Sequence, residues 1–303
     1  MKIGFLTSLF SSMTFEDLVQ WATGASFGYI EAAAWPPGYD KICQYYAATI
    51  NAATIDDNSA EKKKKVLEDK KIKISSLAYY DNNLAPDRNR RKRIHRHLKK
   101  VINAAQMMKT ELVGTFIGRD PSKTIEENIE EAVPIFTDLV SYARDHGVKL
   151  MIENAPMVGW QTEGLVGNIF FSPAVWEDFF NRIPDDYFGM NFDPSHLVWQ
   201  RIDYCKVAAD FSDKIFHFHA KDTKILQEEL CRNGIYGSNW WVPVIPAGNG
   251  DIDWRKMLDT LKKINYDGVI SIELEDAEYE KTFEKVKEGH ILVLNYLKSI
   301  YNE

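Results

Sequence analysis

Cysteine is scarce in this chain: 303 residues contain three, Cys43, Cys205 and Cys231. The number is odd and no pair has the C-x-x-C spacing. That argues against a disulfide scaffold and predicts free thiols in a reducing compartment. No apolar run approaches the ~20 residues that carry a helix across a bilayer. The first residues, Lys2 and a short apolar stretch before Ser11 and Ser12, lack a signal h-region and cleavage site and read as a first strand. A cytoplasmic protein is expected. A basic excess is also missing, since 37 Lys and Arg face 44 Asp and Glu for a net charge of −7. That balance speaks against a general nucleic-acid binder. Neither a linker nor a low-complexity segment interrupts the chain, so residues 1–303 are expected to form one domain.

What the chain does have is an end-to-end alternation of short apolar runs with longer amphipathic ones, which predicts βα units and a parallel sheet. Strands are expected at Lys2 to Leu6, Tyr29 to Ala33, Ile72 to Tyr79, Leu112 to Ile117 and Lys149 to Glu153, with three more around Gly189, Ile215 and Val269. Thr14 is the expected N-cap of the first helix, with Glu16 and Asp17 in its first turn. Pro121 is expected to open a helix that Gly147 closes, and Pro173 to sit in the first turn of another. A Gly-rich loop is expected from Val158 to Gly167, and a long connection from Thr223 to Gly250 holds Trp240 and Trp241. Eight strands with about eight helices is the count of a (β/α)8 TIM barrel.

In such a barrel the chemistry lies at the C-terminal ends of the strands. Four successive runs, the fifth to the eighth, end there in Glu153, Asp193, His219 and Glu273. Any one of these carboxylates alone could be a helix cap. Four together, each embedded in an apolar run, predict a metal site of three hard carboxylates and one imidazole. That set suits Mn²⁺, Mg²⁺, Co²⁺ or Zn²⁺ without choosing among them. The alternation of Ile215-Phe-His-Phe-His-Ala-Lys-Asp222 puts His217, His219 and Lys221 on one strand face, with His217 expected as a structural or supporting histidine. The basic run Arg88 to Lys100 reads as a solvated helix face, as does Glu61 to Lys73. Trp35, Trp199, Trp240 and Trp241 fall in connecting loops and could form an apolar wall for a sugar.

Ile-Glu-Asn-Ala at 152–155, Phe-Asp-Pro-Ser-His at 192–196, His-Ala-Lys-Asp at 219–222, Ile-Glu at 272–273 and Pro-Ala-Gly-Asn-Gly-Asp-Ile-Asp-Trp at 246–254 resemble the xylose-isomerase-like TIM barrels. This is the sugar phosphate isomerase/epimerase superfamily, which includes ketose 3-epimerases, inosose dehydratases and endonuclease IV. The resemblance implies that Glu153, Asp193, His219 and Glu273 bind one divalent metal and that His196 contacts substrate. It further implies that Glu153 and Glu273 double as acid and base. Asn154 and Lys221 belong to the same motifs and are expected to bind substrate with Trp35. Where the epimerase branch carries an arginine after the metal histidine, this chain has Lys221, Asp222 and Lys224.

The expected function is therefore a metal-dependent isomerase or epimerase of a sugar or polyol, working through an enediolate. The alternatives are a lyase or dehydratase acting on an inosose or 3-keto-glycoside, and a non-catalytic sugar-binding subunit. No Gly-rich phosphate loop is evident after the last two strands, which favours a non-phosphorylated ligand. The endonuclease branch needs extra histidines on the early strands, whose ends carry Glu31, Tyr80, Asn82 and Gly118 instead. Neither nucleic acid nor a membrane is an expected partner, and a homo-oligomer is left open.

Overall fold

A computed structural model describes residues 1–157, 167–235, 237 and 239–301. The loop expected from Val158 to Gly167 lies, apart from Gly167, outside the described residues. The strands are β1 (Lys2–Phe5), β2 (Tyr29–Ala33), β3 (Lys73–Ala78), β4 (Leu112–Thr115), β5 (Lys149–Glu153), β6 (Phe188–Phe192), β7 (Ile215–Ala220), β8 (Asp222–Ile225), β9 (Trp241–Val244) and β10 (Val269–Ile272). The helices are α1 (Phe15–Gly24), α2 (Asp57–Asp69), α3 (Arg88–Met108), α4 (Ile125–Asp145), α5 (Pro173–Arg182), α6 (Ser195–Trp199), α7 (Tyr204–Asp210), α8 (Gln227–Asn233), α9 (Trp254–Lys263) and α10 (Phe283–Tyr301). By packing, the chain divides into two compact units, Leu6–Asn191 and Met1–Phe5 with Phe192–Glu303.

In the unit Leu6–Asn191, β2 through β6 pair in sequence order and every pairing is parallel. Their burial is nearly continuous along the strands, as expected when both faces of a parallel sheet are covered. Thr14 caps α1 by accepting from the Asp17 N–H, as expected. The helix expected to open at Pro121 begins later, at Ile125. There Thr124 and Glu127 form a reciprocal capping box that satisfies two exposed N–H groups, which Pro121 cannot do. Helix α3 turns Ile94, Leu98 and Val101 inward and most of its basic residues outward, the solvated face expected of that run. His97 is the exception, since it is buried against the Ala34 carbonyl at 2.8 Å.

In the unit Met1–Phe5 with Phe192–Glu303, β1, β10 and β7 lie side by side and parallel. Counted over both units, eight parallel strands alternate with helices, the (β/α)8 succession expected from the sequence. Among the described residues, the connection from Thr223 to Gly250 carries regular structure: β8 and β9 pair antiparallel, with α8 between them in sequence. Trp199 stacks on Trp241 at 5.0 Å and 5° and meets Trp240 edge-on, which fixes this excursion. Helix α7 is short, and the Asp203 carboxylate caps it by accepting from the Cys205 and Lys206 N–H groups.

Asp222 explains why the His-Ala-Lys-Asp and Gly-Asn-Gly-Asp-Ile-Asp-Trp motifs occur together. Its fully buried carboxylate accepts from the Trp254 indole N–H at 2.8 Å, the Thr223 N–H at 2.7 Å and the Ile252 N–H at 3.1 Å. Gly250 packs so close that a β-carbon there would overlap this carboxylate. Asp222 is therefore the knot that ties the end of β7 to the start of α9. Burial pushes its pKa up to about 7 even though the three donors pull the other way.

Candidate functional site

Asp193 follows β6 directly, and its orientation is set locally. Oδ1 accepts from the Ser195 N–H at 2.8 Å, an Asx turn at the entry to α6, and Oδ2 faces the other way. His196, one residue into α6, brings Nε2 to 3.3 Å from that Oδ2. His219 sits near the end of β7 with no exposed surface, paired in register with Ser271 of β10. Glu273 is the residue after β10 and donates its backbone N–H to the Ala220 carbonyl at 3.2 Å, which places its side chain beside His219. The result is a 3.0 Å contact from His219 Nδ1 to Glu273 Oε2. Asp193, His219 and Glu273 each offer a ligand atom, all within 4.8 Å of one another.

Lys221 joins this group with its ammonium 3.1 Å from Asp193 Oδ2, 2.9 Å from Glu273 Oε2 and 3.7 Å from Glu275 Oε2. The side chain is only 3% exposed, so the charge is buried and needs these carboxylates. Burial by itself would raise the Glu273 pKa. The Lys221 and His219 charges outweigh that and hold it well below the usual carboxylate range. His196 is lowered to about 4 by burial first and by Lys221 second, so its imidazole is neutral at pH 7. Glu275 goes the other way, up to about 7, through loss of solvation and the neighbouring Glu273 and Asp193 charges. Glu275 is not among the site residues expected from the sequence, although the strand period of two from Glu273 points to it. His217 is fully buried and meets the His219 ring edge-on at 6.0 Å.

In the other unit, Glu153 ends β5 opposite Asn191 and is 2% exposed. Its backbone is braced by Asn168, whose side-chain amide donates to the carbonyls of Glu153 at 3.3 Å and Ala155 at 2.7 Å. Asn154 is fully buried beside it. Trp35 is 4% exposed and stacks on Tyr46 at 5.5 Å and 15°, with Tyr79 and Tyr80 close by. A second polar network has no counterpart among the sequence motifs. Asn191 donates to the Tyr80 hydroxyl at 2.7 Å, and that hydroxyl donates to the buried Glu31 carboxylate at 2.8 Å. Glu31 lies within β2, Tyr80 just past β3 and Asn191 within β6, far apart in sequence, so no local motif announces them.

The donor set fits a divalent ion. Two carboxylates and an imidazole are hard and borderline ligands, and their ligand atoms lie within 4.8 Å of one another, near enough to share one ion. A cavity of about 810 Å³ lies elsewhere, between Val198–Tyr204 and Lys224–Glu229. The three cysteines are free, as expected. Among the described residues no helix is long and apolar enough to cross a membrane.

The chain is 24% identical over 239 residues to the inosose isomerase of Bacillus licheniformis, spanning 75% of this chain and 77% of the relative. It is 27% identical over 121 residues to the inosose dehydratase of Lactiplantibacillus plantarum, spanning 36% of this chain and 38% of that one. Among solved structures, the IOLI protein with a bound zinc atom matches with a TM-score of 0.72 at 18% identity, over all of this chain and 98% of that one. The model of the xylose isomerase-like TIM barrel matches residues 19–295, and the chain belongs to that family.

Proposed function

We propose that this protein is a divalent-metal-dependent isomerase or epimerase of a small sugar or polyol, one that moves a proton next to a carbonyl through an enediolate. The observation that carries the reading is the convergence of Asp193, His219 and Glu273 within 4.8 Å, on strand ends where this family's chemistry lies. Glu153 is proposed as the fourth ligand. It ends the strand next to β6, level with Asn191, two residues before Asp193. In this reading the two units act as one barrel domain.

A divalent ion bound there would supply Lewis acidity at the substrate carbonyl and its neighbouring hydroxyl. Glu273 takes the α-proton, and Glu153 is the partner that returns one. His196, neutral at pH 7, can donate to or accept from a substrate hydroxyl without adding charge. Lys221 stabilises the negative charge that develops on the substrate oxygen. Asn154 and Trp35 are assigned to substrate contact. Reprotonation at the neighbouring carbon exchanges aldose for ketose, and reprotonation of the same carbon from the opposite face gives an epimer.

The dehydratase relative favours a second reading with the same first step, followed by expulsion of a β-hydroxyl or aglycone. The test is solvent deuterium incorporation, with Mn²⁺ or Mg²⁺, into ketoses, aldoses, inososes and 3-keto-glycosides. Label should enter at an α-carbon and fall by roughly 10²-fold or more in Glu153→Gln and Glu273→Gln. Label accompanied by an eliminated product selects the lyase. Metal binding without exchange in any compound refutes enolisation and leaves a binding subunit.

A further inference from the structure

A lysine buried among metal-ligand carboxylates is a competitor for the metal. The Lys221 ammonium lies 3.1 Å from Asp193 Oδ2 and 2.9 Å from Glu273 Oε2. Asp193 has its other oxygen engaged by the Ser195 N–H, so Oδ2 is the one it turns toward the cluster. Glu273 turns the same Oε2 toward both His219 and Lys221. A divalent ion about 2.1 Å from these oxygens would share them with an ammonium in direct contact. Two cations so close repel strongly in a buried setting. The lysine stem has four flexible carbons and can move its charge, whereas the strand ends that carry Asp193 and Glu273 cannot.

We infer that Lys221 and the divalent cation compete for Asp193 Oδ2 and Glu273 Oε2, so that this lysine sets the metal affinity of the site and leaves both oxygens when metal binds. The inference rests on the metal reading above. It gives Lys221 two positions, one on the ligand carboxylates and one away from them, where its charge can meet a substrate oxygen. Metal loading and the freeing of a substrate-directed cation would then be a single event.

The test is Mn²⁺ binding by calorimetry to the full chain, without substrate. Lys221→Met should bind Mn²⁺ roughly tenfold more tightly or better, because the competing contact is gone. Lys224→Met removes the same charge from a half-exposed lysine paired with Asp251, and its affinity should match the wild type. In the wild-type protein, acetylation of Lys221 followed by mass spectrometry should be slow without metal and several-fold faster at Mn²⁺ saturation. This second readout stands even if Lys221→Met does not fold. Equal affinities for wild type and Lys221→Met overturn the inference, as does an equal gain in Lys224→Met or metal-independent acetylation. Failure of Mn²⁺, Mg²⁺, Co²⁺ and Zn²⁺ to bind any of the proteins overturns the metal reading itself.

Discussion

Replacing Asp222 by alanine should damage stability rather than chemistry, although Asp222 adjoins Lys221 in the same motif. The substitution strands the Trp254 indole N–H and the Ile252 N–H, and Trp254 is only 1% exposed, so water does not readily take over. The Thr223 N–H, one residue away, can find a new partner by local relaxation. A stranded buried donor costs about 1–3 kcal/mol, so two cost about 2–6 kcal/mol, a large part of the ~5–15 kcal/mol that holds a domain. The pH dependence has a definite sign. Asp222 is raised from 3.8 to about 7, so between those values the native state binds more protons than the unfolded one. Its contribution is complete at low pH and is lost as pH rises through 7. Urea unfolding followed by tryptophan fluorescence should thus show a larger loss at pH 5 than at pH 8. A cycle with Trp254→Phe should give a coupling of about 1–3 kcal/mol. A loss below about 1 kcal/mol at pH 5, a coupling near zero, or a loss that grows toward pH 8 would refute the reasoning.

His290 should show the opposite pH dependence. Burial lowers it from 6.5 to about 4, so stability tied to its neutral form is complete above 6.5 and drains as pH falls toward 4. The loss should total roughly 3 kcal/mol, since each tenfold change in proton affinity is worth about 1.4 kcal/mol. It should be absent from the pH profile of a folded His290→Leu protein. Gly114→Ala should cost about 1–3 kcal/mol by chemical denaturation, because the new methyl would overlap the Tyr80 hydroxyl and push it off Glu31.

Much of the candidate site was legible because strand ends are local. Asp193-Pro-Ser-His196 carries its own turn, and His219 with Lys221 follows from a period of two. The Glu31–Tyr80–Asn191 network could not be read, because its three members belong to separate βα units and meet only through hydrogen bonds. Asp222 is misleading for a related reason. Beside a lysine in a motif it looks chemical, and only packing against Trp254 and Gly250 shows it to be a structural tie.

Taken alone, the sequence determined the order of the eight parallel strands, the cap at Thr14, the place of Pro173 in the first turn of a helix, and the residue types at the strand ends. These depend on periodicity and on backbone groups a few residues apart. Tertiary structure decided the rest. It paired β8 with β9 and stacked Trp241 on Trp199, because covering the faces of Trp240 and Trp241 needs a partner as distant as Trp199. It also set the Lys221 ammonium on Asp193 and Glu273, since the energy of a buried charge depends on which carboxylates the fold brings within about 3 Å, whatever their separation along the chain.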